Sequence, residues 1–373
     1  MALRITSLDL QRFRSYERFT LDDIGMLTVF SGPNAVGKTN IIEGIQLLTA
    51  LTTFRNAPIR ELVHHGNENA LIVADYEGGG RELEVRLTLA EHAKRATLNG
   101  KAKRAADLKG LMPSVTFTPD DLDLVKGSMS KRRHELDVLG SQLHKNYHLI
   151  QKDYEKVIRH KNRLLKEAPD PLMLASIDQM VVEVGSQLCC YRAALFEKLA
   201  APLQRIYGEI AQGREELQAS YLPSWALEEE GAAPFTREEA RAFLERDLVA
   251  RSSEELRRGR ALVGPQKDAI RFRIDGHDAE AFGSQGQQRS IVLAWKLAEA
   301  ATIEEMLEQS PVLLLDDVMS ELDGARREAL VTYIARDVQT FITTANLAYF
   351  DPTMLKDARV VDLQGKTDSS ARA

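Results

Sequence analysis

The chain has 373 residues, of which 44% are hydrophobic and 28% charged, with a formal net charge of -6. That length exceeds what one hydrophobic core usually holds, so two lobes are expected, and the composition excludes a disordered or fibrous protein. The charge excludes a uniformly basic nucleic-acid coat but leaves room for local basic patches. Cys189 and Cys190 are adjacent within an apolar helical pattern. That spacing suits neither a disulfide framework nor a metal site and points to a reducing cytoplasm. No cationic leader opens the chain and no apolar run approaches the roughly 20 residues of a membrane span, so neither secretion nor membrane insertion is expected.

In chain order, Leu3 and Ile5, then Leu8 and Leu10 after a one-residue slip, alternate with polar residues, and Met26 to Ser31 is a short apolar run. Both read as strands. From Lys38 to Leu51, Ile41, Ile42, Ile45, Leu48 and Thr49 share one side of a helix. Two alternating runs, Ala70 to Glu77 and Arg81 to Leu89, flank Gly78, Gly79 and Gly80 and read as a hairpin; Asn99-Gly100 marks a second tight turn. Lys94, Arg95, Lys101, Lys103 and Arg104 cluster there, with Lys126, Lys131, Arg132 and Arg133 shortly after.

Beyond Pro119 the spacing predicts a long helix in which Leu136, Leu143, Ile150, Val157 and Leu164 recur every seven residues, with Tyr147 and Tyr154 on the second seam. Pro169 and Pro171 interrupt it, and Ile177, Val181, Val184, Leu188, Tyr191 and Leu195 resume it. This predicts a helical hairpin, its arms packed on a lobe in preference to forming a free coiled coil. It carries Lys156, Arg159, His160, Lys161, Arg163 and Lys166. Pro223 to Pro234, with Glu228, Glu229, Glu230 and Gly231, reads as an exposed loop, followed by a helix to Arg258. Asp268 to Ile274 reads as a strand and Gln287 to Glu308 as a helix. The aliphatic run Pro311 to Leu315 and then Thr340 to Thr344 suit parallel strands covered on both faces.

Three constellations carry chemistry. Gly32, Pro33, Asn34, Ala35, Val36, Gly37, Lys38 and Thr39 form a phosphate loop between a strand and a helix. Its glycines let backbone N–H groups face phosphates, Lys38 reaches the outer phosphates, and the Thr39 hydroxyl is placed to ligate Mg²⁺, so ATP with Mg²⁺ is the expected cofactor. An apolar strand ends in Asp316 and Asp317; Asp316 would hold Mg²⁺ through water and Asp317 stands where a general base could orient attacking water. Ser284, Gly286 and Gln287, in SQGQQR, open a helix, either as a simple cap or as a second anion site.

The opening QRFRSYERF, the loop GPNAVGKTN, DDLDLVKGSMSKRR, KNRLLK, SQGQQR and LLLDDVMSELD together resemble the RecF family of SMC-like ABC ATPases, in collinear order over most of the chain. The resemblance implies an α/β fold: an ABC-type P-loop ATPase head of mixed sheets flanked by helices, with an inserted helical lobe. The head would occupy residues 1–125 and 262–373, and the lobe 126–261. It further implies ATP-dependent homodimerisation, with Ser284 and Gly286 of one chain completing the nucleotide site of the other. DNA binding, partnership with RecR and RecO in loading RecA, support of the SOS response, and a cytoplasmic, nucleoid-associated location are implied likewise. Lys94, Arg95, Lys101, Lys103, Arg104, Lys131, Arg132 and Arg133 are the candidate DNA contacts. Gln266 and Lys267 depart from the family pattern, Asp317 stands where a Glu is customary, and no histidine lies near Thr343 and Thr344. The last two predict slow hydrolysis, used as a switch. A transporter ATPase subunit, a P-loop small-molecule kinase and a nuclease-coupled ATPase are the rival readings.

Overall fold

The computed structural model describes residues 3–55, 57–91, 93–104, 107–167, 170–227 and 234–363. Its contacts divide the chain into two units, one formed by residues up to 122 and from 295 onward, the other by 123–294.

The first unit opens with an antiparallel hairpin of β1 (Arg4–Phe13) and β2 (Tyr16–Leu21), followed by β3 (Leu27–Ser31). The slip in hydrophobic alternation is an irregularity of register between Ile5 and Ser7, which returns Leu8 and Leu10 to the buried face. Helix α1 (Lys38–Thr49) and the short α2 (Ile59–Leu62) come next, then β4 (Asn69–Gly78), β5 (Arg81–Ala90), β6 (Ala93–Leu98), β7 (Lys101–Lys103) and β8 (Ser114–Phe117). The first sheet runs β2-β1-β4-β5-β6-β7. Its tight turns place Gly79 and Gly80, and Asn99 and Gly100, at positive φ, as two-residue hairpins require.

The second unit contains α3 (Asp123–Lys126), α4 (Met129–Leu143), α5 (Lys145–Lys166), α6 (Pro171–Ile210), β9 (Leu217–Leu222), α7 (Arg237–Arg258), β10 (Ala269–Ile274), β11 (His277–Asp278) and the start of α8 (Gln285–Leu307). The long arm expected from the heptads is two helices, because His144 (φ −142°, ψ 120°) leaves the helical region. Gly140 permits the fold-back: a Cβ there would stand 2.5 Å from the Tyr147 ring, whose hydroxyl donates to Asp137 at 2.7 Å. Pro169 lies outside the described residues, as do Glu228, Glu229, Glu230 and Gly231. Helix α6 buries Ile177, Val181, Leu188 and Leu195 against its own unit. The chain leaves this unit inside α8, later than the 261/262 boundary expected from sequence. The reason is that β10 pairs with β9 from Ala269–Leu222 to Ile274–Leu217, and Gln287 and Gln288 bond back to Glu215, Ala279 and Gly283.

The first unit is completed by β12 (Val312–Asp316), α9 (Gly324–Ile334), β13 (Thr340–Thr344), α10 (Pro352–Lys356) and β14 (Arg359–Asp362). Its second sheet is wholly parallel, in the order β14-β3-β13-β12-β8. All five residues of β12 are buried, which is why the run is uniformly aliphatic up to Asp316. Helix α1 is covered on both sides, with Ile41, Ile42 and Ile45 in one core with Leu10, Ile72, Leu314 and Phe341. Gly44 lets it press onto β1, since a Cβ there would meet a methyl of Leu10 at 2.9 Å. Gln339 fastens β1 to the start of β13 by accepting from Ile5 N at 2.8 Å and donating to Ile5 O at 2.7 Å. No helix among the described residues is long and apolar enough to cross a membrane.

Candidate functional site

The site is built on the carboxyl ends of the parallel strands. The loop from Gly32 to Gly37 leaves β3 and enters α1; its first residue is tied to β13 by Gly32 N donating to Thr344 O at 3.3 Å. Gly37 has φ 106°, and a Cβ there would lie 2.7 Å from the Tyr16 hydroxyl and 2.9 Å from Ser15 Oγ. Only glycine meets both demands. Pro33, Asn34 and Ala35 are exposed at the crown. The start of α1 has no side-chain cap and no acidic residue in its first turn. Its N–H ends and positive dipole end are therefore uncompensated, the electrostatic condition for holding an anion.

Lys38 is buried and folds back over the loop, its ammonium donating to Gly32 O at 2.7 Å and Pro33 O at 2.8 Å. Burial pushes its proton affinity down, while Asp317 and Asp316 hold it up. Asp316, 6% exposed, accepts at one oxygen, Oδ1, from the Thr39 hydroxyl (3.0 Å) and the Thr343 hydroxyl (2.7 Å). Burial raises its pKa; the two hydroxyls, then Arg55 and Lys38, oppose the rise. Asp317, half-buried in a left-handed conformation (φ 55°), donates its N–H to Thr343 Oγ1 at 2.9 Å. Burial raises its pKa too, chiefly against the pull of Lys38.

A buried carboxylate next to a threonine hydroxyl is an oxygen donor set suited to a hard cation such as Mg²⁺. Thr39 and Asp316, separated by 277 residues, are brought together here. Thr343 was missed by sequence reasoning, which noted only that no histidine stands nearby. A hydroxyl at the carboxyl end of a buried strand was its available signal.

Around this centre, Arg14 clamps the β1–β2 turn onto α1 with a bidentate pair to buried Glu43 at 2.7 and 2.8 Å. Asn40 Nδ2 donates to Ser15 Oγ at 2.8 Å, which gives Asn40 a loop-shaping part. After Asp317, Ser320 Oγ donates to Asp317 O, Arg327 donates to the carbonyls of Met319 and Leu322, and Asp323 caps α9.

In the second unit, Ser284 and Gln287 form a reciprocal cap of α8: Ser284 N donates to Gln287 Oε1 at 2.7 Å, and Gln287 N to Ser284 Oγ at 3.2 Å. Gln287 Nε2 also donates to Glu215 at 3.0 Å. Ser284 is exposed and Gly286 half-buried.

The basic residues separate into two kinds. Arg95, Lys101, Lys103 and Arg104 are exposed on β6, β7 and the residue after; Lys94 is half-buried with its ammonium on Leu51 O, and Arg104 is paired with Asp107. Lys131 and Arg133 are half-buried, Arg133 donating to Asp268 O at 2.5 Å. Arg132 is a correction. It is 1% exposed, and its guanidinium donates to the carbonyls of Leu124, Val125 and Ile270 and to Glu280, over the face of Phe272. It has no surface to offer DNA. Lys161, in the second basic group, is likewise fully buried, against Asp178 (2.7 Å) and Glu255 (2.5 Å).

Comparison with known proteins agrees with this architecture. The family model of the RecF/RecN/SMC N-terminal domain matches residues 4–364. The DNA replication and repair protein RecF of Cyanothece sp. is 37% identical over 97% of this chain and 96% of its own, and that of Symbiobacterium thermophilum 39% identical over 92% of each. Solved structures of the recombination mediator protein RecF-ATPrS and RecF-ATP in the RecFOR pathway superpose with TM-scores of 0.86 and 0.85, at 28% identity and 94% coverage of both chains. The Smc head domain of Pyrococcus furiosus, 16% identical with a TM-score of 0.52 over 96% of this chain and 93% of that one, shares the fold. The fold is the ATPase head of mixed sheets and flanking helices expected from sequence. With a family model spanning nearly every residue and relatives above 35% identity over almost their full length, the chain belongs to the RecF family.

Proposed function

We propose that this chain is an ATP-operated DNA clamp that acts in recombinational repair of gaps and stalled replication. The observation that carries the reading is the convergence of Lys38, Thr39, Asp316 and Thr343 beneath an uncapped helix N-terminus. Lys38 would exchange the carbonyls of Gly32 and Pro33 for outer phosphate oxygens, and the loop N–H groups would take the others. Thr39 and Asp316 would hold Mg²⁺, which supplies neutralisation of phosphate charge. Asp317, its carboxyl pushed up by burial, would accept a hydrogen bond from water in a slow hydrolysis. Its short side chain supports a switch rather than a fast turnover.

Ser284 and Gly286 of a second copy would complete the site, so that ATP closes a homodimer. Closure would align Arg95, Lys101, Lys103, Arg104 and Lys131 on the DNA backbone, contacts that are salt-dependent and carry no sequence information. RecR and RecO would be the partners in loading RecA, in the cytoplasm at the nucleoid and in support of the SOS response. The relatives named RecF support this assignment. Analytical ultracentrifugation tests it: ATP is expected to shift the wild type to a dimer but not Lys38→Met or Ser284→Arg. Dimers formed by either variant, or a gel shift on single-stranded, duplex and gapped DNA that ignores ATP, would refute the clamp.

A further inference from the structure

The second unit holds a cavity of about 410 Å³ lined by residues of α4, α5 and α6 and by Gln266. Its volume falls within the roughly 300–1,000 Å³ of small-ligand sites. The chemistry of its walls is uneven. Tyr154, Ile158 and Leu188 present an apolar side, while Arg133, Arg159, His134 and Ser130 present a polar one. Three of its charges are already matched: Arg192 is doubly bonded to Asp137 at 2.9 and 2.7 Å, and Glu155 accepts from Gln151 at 3.1 Å and Lys152 at 3.0 Å. Arg133 and Arg159 are in no ion pair among the described residues, although Asp268 and Asp137 act on the Arg133 charge. Arg133 gives one N–H to the Asp268 carbonyl, and among the described residues Arg159 has no hydrogen bond or ion pair.

The surroundings add positive charge. Lys267 follows Gln266 and is half-buried; burial, then the nearby charges of Arg260, Arg133, Arg251 and Arg258, push its ammonium down. Among the described residues, only Arg258 of these four arginines has an acidic partner across an ion pair, Glu254 at 2.6 Å. Cations gathered in this way repel one another and favour an anionic ligand among them. The cations therefore select charge, and the wall of Tyr154, Ile158 and Leu188 selects a body that is not itself charged.

We propose that this cavity is a second anion site that takes a nucleotide, its phosphate held by Arg133 and Arg159 and its base laid along Tyr154, Ile158 and Leu188. Arginine presents paired donors to phosphate, which suits this role better than the isolated ammonium of a lysine. The recognised chemistry is a phosphate ester carrying a planar base, as a free mononucleotide or as one nucleotide of a DNA strand. The site is separate from the phosphate loop and does not depend on it.

The test uses the full chain with Lys38→Met, which removes nucleotide binding at the phosphate loop. Calorimetric titration with AMP, inorganic phosphate and a short single-stranded oligonucleotide is run on that background, then with Arg159→Gln or Ile158→Ser added. Arg159 is exposed, so its loss leaves folding intact, whereas Arg133 also ties down Asp268. AMP or the oligonucleotide is expected to bind, to weaken about tenfold with Arg159→Gln, and to weaken with Ile158→Ser while phosphate does not. Sensitivity of AMP alone assigns the free nucleotide, and sensitivity of the oligonucleotide assigns the strand. Absence of binding by all three probes, or binding indifferent to both substitutions, would overturn the proposal. ATP titration of the wild type and of the Lys38→Met chain, run in parallel, reads the phosphate-loop assignment as the difference between the two.

Discussion

Replacing Thr343 by valine removes one oxygen and keeps the shape of a side chain that is fully buried. The wild-type hydroxyl donates to Asp316 Oδ1 at 2.7 Å and accepts from Asp317 N at 2.9 Å. The amide keeps a second acceptor in Thr343 O at 3.2 Å, so the main loss falls on the carboxylate. A hydrogen bond to a charged group contributes about 1.5–3 kcal/mol, which corresponds to roughly ten- to a hundredfold in preference for the ionised form. Burial already raises the Asp316 pKa, and the Thr343 hydroxyl is the first influence opposing it. Removing that donor raises the pKa further. If Asp316 holds Mg²⁺ as proposed, binding of MgATP needs the ionised carboxylate, so the acid limb of its affinity profile moves to higher pH, while affinity on the alkaline side changes little. Fluorescence titration with a labelled ATP analogue between pH 5 and 8 measures this, with Thr343→Ser as the rescue and circular dichroism as the folding control. A Thr343→Val profile that superposes on the wild type, or one displaced to lower pH, would refute the role given to Thr343.

Lys38→Met is expected to lose the phosphate-loop component of ATP binding in the same titration, the component that follows the Asp316 acid limb, since the loop keeps its geometry but not its cation. Gly37→Ala must accommodate φ 106° and a Cβ 2.7 Å from the Tyr16 hydroxyl; a cost of about 1–3 kcal/mol in stability is expected, read as a lower melting temperature, part of it recovered by Tyr16→Phe. For DNA, Lys103→Gln should reduce the slope of log affinity against log salt by about one, in a filter-binding series. Arg132→Met instead removes a buried donor shared by the carbonyls of Leu124, Val125 and Ile270, while the half-exposed Glu280 turns to water, so it should lower stability and solubility with no change specific to DNA.

What could be read from the sequence was local. The phosphate loop, the hairpins at Gly79-Gly80 and Asn99-Gly100, and the aliphatic strand ending in two aspartates each carry their signal within a few residues. The break at His144 was hidden because Leu136, Leu143 and Ile150 keep a seven-residue step across it, and the fold-back depends on Gly140 meeting Tyr147 in space. The buried cations were accessible to a closer look at helical phase. Arg132 lies four residues before Leu136, Lys161 stands between Val157 and Leu164, and Arg192 between Leu188 and Leu195, all at apolar-face spacing. Counting Arg132 by charge alone placed it on the surface; counting it by position places it in the core.

Thr343 was not legible for a different reason, which lies in strand order. The phosphate loop follows β3 and the aspartates end β12, but these strands are not neighbours; β13 runs between them. Thr39 reaches Asp316 only across the carboxyl end of β13, and any residue there must tolerate a buried carboxylate beside it. A hydroxyl does more than tolerate it, since Thr343 donates to Asp316 and accepts from the amide of Asp317 at once. The same strand accepts Gly32 N at Thr344 O, so β13 holds the start of the phosphate loop as well as the acidic pair. A shift of β13 along its neighbours would therefore disturb both halves of the site together, and the parallel register from Thr340–Leu27 to Thr344–Ser31 is what fixes their distance. The site is thus a property of three strands in one order.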